Sequence, residues 1–397
     1  MPWMEKQRSQ QRLELITLAR QPDANHRELC ARFGVSRKTL YKWLKRASET
    51  PSEAEMKDRS RRPKTSPRQT PVAIEQRVLE LRSEEPAWGP RKLKRRLEDL
   101  GAQELPARST VGMILRRAGV IAPEVSAQHQ AWQRFERAQP HELWQMDFKG
   151  DVALSRGGRC HPLPILDDHS RYVVGLFACG NQQERTVRAH LEATFERYGL
   201  PEELLCDNGT PWSGNPGEWT RLEVWLLRQG IRLTHGRPYH PQTQGKEERL
   251  NRTLKAELLS RHDLRDLTHA QELFDEWRVK YNCQRPHESL ELAVPATRFR
   301  VSARCYQPKL PPLEYAEGLE IRRVKSKGEI TWRNRSYFIG RAFAGEDVTL
   351  QPTRCEHRFE VRYAHVCVGE IDLRQSAKSK HHYIAIRART RRPKVEG

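Results

Sequence analysis

The chain has 397 residues, with 71 Lys and Arg against 51 Asp and Glu, so its formal net charge of +20 suits a polyanionic partner. Charged residues make up 31% and hydrophobic ones 37%, which excludes a wholly disordered chain. No apolar run approaches the roughly 20 residues that span a bilayer, so no membrane partner is expected. The opening MPWMEKQRSQQRLEL has no apolar signal core, and the eight scattered cysteines form no Cys-x-x-Cys pair. Neither a disulfide framework nor a zinc site is indicated, and a cytoplasmic protein with reduced thiols is expected.

Residues 1–49 read as a small helical unit. Leu13, Ile16 and Leu18 mark a first helix, and HRELCARFGVSRKTLYKWLKRA follows. In it Leu29 and Phe33 share a face, Gly34 breaks the helix, and Ser36 caps a further helix that turns Leu40 and Leu44 inward. That is a helix-turn-helix pattern, whose second helix enters the major groove. Arg37, Lys38, Lys42 and Lys45 are its candidate DNA contacts, against the competing reading of a solvated basic face. Residues 50–71, with Arg61 and Arg62, read as a basic flexible linker that tracks phosphates. Residues 72–121 read as a second helical, helix-turn-helix-like DNA-binding unit. Pro90 and Ser109 start helices there, Gly101 and Gly119 end them, and Trp88 packs. A connector spans 122–140.

From His141 to about residue 300 the pattern becomes α/β. ELWQMDFKGDV, RCHPLPILDDHS and RYVVGLFACG read as successive strands, followed by a helix over 184–198 and a short strand ending at Asp207. A helix near 218–229, a strand IRLTH and a long helix from Gly245 complete a mixed sheet with helices on its faces. Asp147 falls in the first strand, Glu248 early in the last helix, and Asp207 beyond a strand end, before the turn-forming Asn208-Gly209. Acids on so basic a chain repel phosphate unless a divalent cation intervenes. Oxygen-only ligands suit Mg²⁺ or Mn²⁺, and two such ions serve phosphodiester chemistry by activating one oxygen and stabilising another. Metal-dependent cutting and joining of DNA is the leading reading.

Other residues are weighed against plainer roles. Asp167 and Asp168 precede His169-Ser170, and turn bonding accounts for them. His240 and Asn208 are placed equally well by loop and turn formation as by contact with substrate. Lys246 and Lys255 read as a solvated helix face, against the DNA contact that the family resemblance described below implies for them. YNCQRPHESL reads as chain reversal and packing. After a linker over 301–317, alternating runs in 318–375 punctuated by glycines suggest a small SH3-like β-barrel. The tail, 376–397, is basic and expected to order only on DNA.

WQMDFKG, DDHSRYVVG, CDNGTPW, HPQTQGKEERLNRTLK and YNCQRPHESL, in that order, resemble the catalytic core of DDE insertion-sequence transposases of the retroviral integrase superfamily. The resemblance implies a multidomain chain: all-α helix-turn-helix units, a ribonuclease H-like core and a barrel like that of integrases. It implies two Mg²⁺ per site, terminal inverted repeats and target DNA as partners, and a homodimer or larger assembly on DNA in the bacterial nucleoid. The family pattern places the metal-binding catalytic carboxylates at Asp147, Asp207 and Glu248. Two departures stand out. The 40 residues between Asp207 and Glu248 exceed the family's usual gap, and Glu247 stands where an apolar residue is usual. At 100° per residue Glu247 points with Leu250, Leu254 and Leu258, so it is expected at an edge or near a cation, and it is the second choice for the third carboxylate. A DNA-binding regulator with an inert core is the alternative, and a plain nuclease or resolvase the third reading.

Overall fold

A computed structural model describes residues 8–58, 70–120, 136–207, 209, 212, 218–235, 245–364, 366–375 and 383–385. The chain divides into two compact units, residues 1–69 and 70–397.

In the first unit α1 (Arg8–Ala19), α2 (His26–Arg32) and α3 (Arg37–Arg46) surround Leu15, Ile16, Cys30, Leu40 and Trp43. The turn into α3 forms because Gly34 takes φ +61° and the Ser36 hydroxyl accepts the Thr39 amide at 3.2 Å. Trp43, which the sequence pattern did not single out, is the floor of this core, with the Arg12 and Arg46 guanidiniums 4.3 and 4.8 Å from its ring centre. The first part of the expected linker is folded rather than free. Met56 is fully buried against these helices, and its carbonyl accepts from Arg12 at 2.8 Å. Arg61 and Arg62 lie outside the described residues.

The second unit opens with α4 (Val72–Glu84), α5 (Pro90–Asp99) and α6 (Arg108–Arg117), packed around Val78, Leu93, Leu97, Val111 and Leu115. Trp88 is 1% exposed at their centre, a packing corner. Ser109 does not start α6. The helix begins at Arg108, with Ala107 in the cap position and no side-chain cap bond. This trihelical group docks on the core through Lys280–Glu85 at 2.7 Å and Arg96–Gln284 at 3.2 Å.

The core sheet runs β4 (Val173–Cys179), β3 (Arg159–Asp167), β1 (Trp144–Met146), β5 (Glu203–Cys206), β6 (Arg232–His235), with the short β2 (Val152–Ala153) also paired to β3. Strand β3 is antiparallel to β4 and β1, whereas β1, β5 and β6 are parallel. Side-chain alternation then assigns the faces. Trp144, Met146, Leu204 and Cys206 pack with α7 (Glu184–Tyr198) and α8 (Arg221–Arg228). On the other face lie α9 (Gly245–Leu254), a π-helical turn at Lys255–Leu259, and α10 (Leu267–Cys283), whose Leu250, Leu254, Phe274 and Trp277 cover Leu166, Val173 and Leu176.

The C-terminal part is a five-stranded antiparallel sheet in the order β13 (Tyr383–Ala385), β12 (Val366–Asp372), β11 (Arg358–Tyr363), β10 (Asp347–Pro352), β7 (Glu320–Arg323). A separate hairpin, β8 (Glu329–Trp332) and β9 (Arg335–Phe338), turns at Arg333 and Asn334, both at positive φ. The expected barrel is not found. Among the described residues β8 and β9 pair only with each other, and β7 and β13 are left as edges. Strand β13 also falls within the segment read as a tail; the rest of that segment lies outside the described residues. This sheet shares its apolar core with Val224 and Leu227 of α8, and Trp219 donates to the Val368 carbonyl at 2.9 Å. No helix among the described residues is long and apolar enough to cross a membrane.

Candidate active site

Asp147 follows β1 directly and Asp207 follows β5 directly. The parallel register sets Trp144 beside Leu204 and Gln145 beside Leu205, so the same offset carried two residues on sets Asp147 beside Asp207. Both share the parity of Gln145 and Leu205, which face α9 rather than α7. Asp147 is half-buried, and its carboxyl is pushed up to about 6 by burial and then by the Asp207 charge, against the Phe148 amide and Lys149. Asp207 accepts the Gly209 amide at 2.9 Å. A Cβ at Gly209 would stand 3.0 and 3.1 Å from the two Asp207 oxygens, so a side chain there would press on the carboxylate. Behind it His235 Nδ1 lies 3.0 Å from the Asp207 carbonyl and Nε2 lies 3.1 Å from Glu223 Oε1. Glu223 closes the capping box of α8, so one chain of contacts ties the end of β5 to β6 and α8.

The start of α9 carries three charged residues with three fates. Lys246 Nζ is 2.5 Å from Asp168 Oδ1, a fully buried carboxylate that also accepts Gln145 Nε2 at 2.7 Å and the Arg137 amide at 2.8 Å. Burial pushes the Lys246 ammonium down to about 8 in spite of that partner. Its charge serves the interior, which is not the exposed position that a DNA contact needs. Asp167 next door accepts from Ser170 and from the His141 amide, so the acidic pair is a turn and hub.

Glu247 is 2% exposed, and neither carboxylate oxygen has a hydrogen-bond partner among the described residues. Burial first, then Asp147 and Asp207, hold its carboxyl well above the usual range. It does not sit at an edge or against a cation, as the helical pattern suggests it should. At this end of α9 the buried face lies over the tips of β1 and β5, so a side chain one turn before Leu250 meets the aspartates. Glu248 has a side chain 69% exposed and stands 3.7 Å from Arg252. With Asn251, Arg252 and Lys255 it forms a helical stripe that lines one cleft together with Asp147, Phe148, Lys149 and Gly150.

Among the described residues no group of three or more His, Cys, Asp or Glu side chains is placed to hold a metal ion as the side chains stand. The donor chemistry nevertheless suits a hard divalent cation: oxygen donors only, and in Glu247 a buried carboxylate with both oxygens unpartnered among the described residues. Of the other expected contacts, Arg37, Lys38, Lys42 and Lys45 are exposed on α3, and Lys255 is exposed in the cleft. Asn208 and His240 lie outside the described residues. The RPHESL turn packs: Arg285 pairs with the buried Glu257 at 2.8 Å, and the rings of Tyr281 and His287 meet edge-on. Gln145, Glu223 and His235 escaped the sequence reading. A glutamine in an apolar strand was the available signal for the first; the other two depend on contacts distant in the chain.

Comparison with known proteins agrees with this architecture. Residues 137–241 and 229–295 each match an integrase core domain, 6–52 and 39–115 match homeodomain-like domains, and 319–379 match the IS481 family transposase C-terminal domain. The chain therefore carries an integrase core domain with homeodomain-like helical units before it. An uncharacterized 31.7 kDa protein of insertion element IS407 from Burkholderia multivorans is 28% identical over 157 residues, 40% of this chain and 54% of that protein. A 39.2 kDa protein of insertion element IS476 from Xanthomonas euvesicatoria is 27% identical over 168 residues, 42% of this chain and 46% of that one. The chain is similar to these insertion-element proteins and spans about half the length of these curated relatives. Solved structures that resemble it include a simian T-cell lymphotropic virus intasome (TM-score 0.36, 16% identity, 70% of this chain and 92% of that one). Another is the HTLV-2 integrase catalytic core with magnesium (TM-score 0.31, 13% identity, 41% and 97%).

Proposed function

We propose that this chain binds the terminal inverted repeats of an insertion sequence, cleaves at its ends to free 3′-hydroxyls, and joins them to target DNA. The observation that carries this reading is the meeting of Asp147 and Asp207, from two parallel strands, opposite the acidic start of α9 in a cleft edged by Lys149, Arg252 and Lys255. Asp147, Asp207 and Glu248 are the residues that would hold Mg²⁺, two ions per site, with Mn²⁺ able to substitute. Such ions supply Lewis-acid polarisation of the phosphate and activation of the oxygen nucleophile, so no covalent enzyme–DNA intermediate is needed. The chain's own part is positional. Lys149, Arg252 and Lys255 neutralise backbone phosphates, and the brace of His235 and Glu223 fixes the end of β5. Lys246 holds α9 at the sheet, while Arg37, Lys38, Lys42 and Lys45 face DNA from α3. Joining two ends requires at least two protomers, so the working form is a DNA-bound homodimer or larger assembly in the bacterial nucleoid. Domain roles follow the sequence divisions, with the open C-terminal sheet replacing the barrel.

The test is incubation with labelled terminal repeats, plasmid target and Mg²⁺. Joined products are expected, and Glu248→Gln should bind ends while neither cutting nor joining. Cutting without joining would make the chain a nuclease, and retardation without cutting a DNA-binding regulator.

A further inference from the structure

Glu247 is the acidic side chain that the three-carboxylate reading leaves without a task. It is 2% exposed, both its oxygens lack partners among the described residues, and it faces two further carboxylates, Asp147 and Asp207. The cation beside it in sequence, Lys246, is spent on Asp168. As a filler of the α9 underside it is a poor choice. Leu or Gln would occupy the same space without burying an acid, and the next residues on that face are Leu250 and Leu254. A buried acid of this kind persists where a bound partner compensates it. Glu248, one residue on, points into the open cleft, so the two glutamates address the aspartates from inside and from the mouth.

We propose that Glu247 is a fourth carboxylate of the cation site, an inner ligand whose unpartnered oxygens are taken up by a divalent metal, with Glu248 as the outer one. The inference rests on the cation-site reading of Asp147 and Asp207 given above. A consequence follows for the metal-free protein: three carboxyl groups crowd together, with the Glu247 oxygens unpartnered among the described residues, a cost that metal binding relieves, so stability and cation occupancy are linked through this residue.

The experiment uses the full-length chain, without DNA, and two readouts: melting temperature in EDTA or Mn²⁺, and calorimetric titration with Mn²⁺. Glu247→Gln keeps the shape and removes the acid. It is expected to melt about 1–2 °C higher than wild type in EDTA, the size of shift that about 1 kcal/mol gives in a compact unit of this scale. It should also show a smaller Mn²⁺-induced rise and roughly tenfold or more weaker Mn²⁺ binding. Glu247→Leu should repeat the gain in EDTA. An unchanged or lower melting temperature for both variants in EDTA, or Mn²⁺ binding within about twofold of wild type, overturns the proposal, as does failure of both to fold. Asp147→Asn separates the two levels. If it still binds Mn²⁺ as wild type does, the cation-site reading itself fails; if it loses Mn²⁺ while Glu247→Gln does not, only the role of Glu247 falls.

Discussion

Lys246 and Asp168 form a buried ion pair, Nζ to Oδ1 at 2.5 Å, and the same carboxylate takes the Gln145 amide at 2.7 Å. Gln145 stands two residues before Asp147 on β1, and Lys246 two residues before Glu248 on α9. One carboxylate therefore ties the strand and the helix whose acids must meet. Asp168→Asn would leave the Lys246 ammonium buried without its counter-charge, a loss of about 3–5 kcal/mol for a pair of this kind. Lys246→Met with Asp168→Asn should recover most of it, because the charge and its partner leave together. Urea unfolding of the two single variants and the double variant measures the coupling. Additive losses would mean that the pair does not act as a unit.

The cleft face of α9 separates chemistry from DNA affinity. Lys255→Ala should weaken DNA binding on all sequences alike and lower the slope of log affinity against log salt by about one. Glu248→Gln should leave both quantities near wild type, since it removes an acid rather than a phosphate partner. Fluorescence anisotropy across a KCl series distinguishes them. A Lys255→Ala slope equal to wild type would remove that lysine from the phosphate path.

Gly209 supports Asp207 by having no side chain. Gly209→Ala places a methyl about 3 Å from both carboxylate oxygens and must turn the carboxylate or shift the loop. The expected result is a loss of activity with the melting temperature little changed, because the strain falls on a turn beyond the end of β5. Activity equal to wild type would show that the turn relaxes freely.

These contacts also mark the limit of what was readable in the chain. Alternation and helical spacing define the strands and helices, and the offset of β1 to β5 that brings Asp147 to Asp207 agrees with the motifs in which they lie. The same periodicity put Glu247 on the face of Leu250, yet it carries no information about what that face meets at its end. Lys246 looks in sequence like any base on a basic helix, since its partner is 78 residues away. Met56 was hidden in a polar stretch because a single apolar residue has no period. The barrel failed for a related reason: alternating strands are the same in open and closed sheets, and closure is decided by pairing between distant edges.

Lys92, on α5 where the second helical group meets the core, gives a pH-dependent prediction away from the acidic site. Burial, and then the Arg285 charge, push its ammonium down from the usual range to about 8, while Glu257 and Glu288 pull the other way. The unfolded chain thus binds this proton more tightly than the folded one. Below pH 8 both states are charged and the fold carries the full penalty. Between 8 and the ordinary lysine value the folded amine loses its proton first, and stability rises with pH. Lys92→Met abolishes the penalty, so at pH 7 the variant should be more stable by about 2 kcal/mol, a figure reduced because the side chain is only half-buried. That advantage should shrink as pH is raised from 8 towards 10. Paired chemical denaturation at pH 7 and pH 9.5 provides the measurement, with the difference between the two proteins, rather than either stability alone, as the quantity of interest. A gap that stays constant across that range would mean that Lys92 remains solvated where the helical group meets the core.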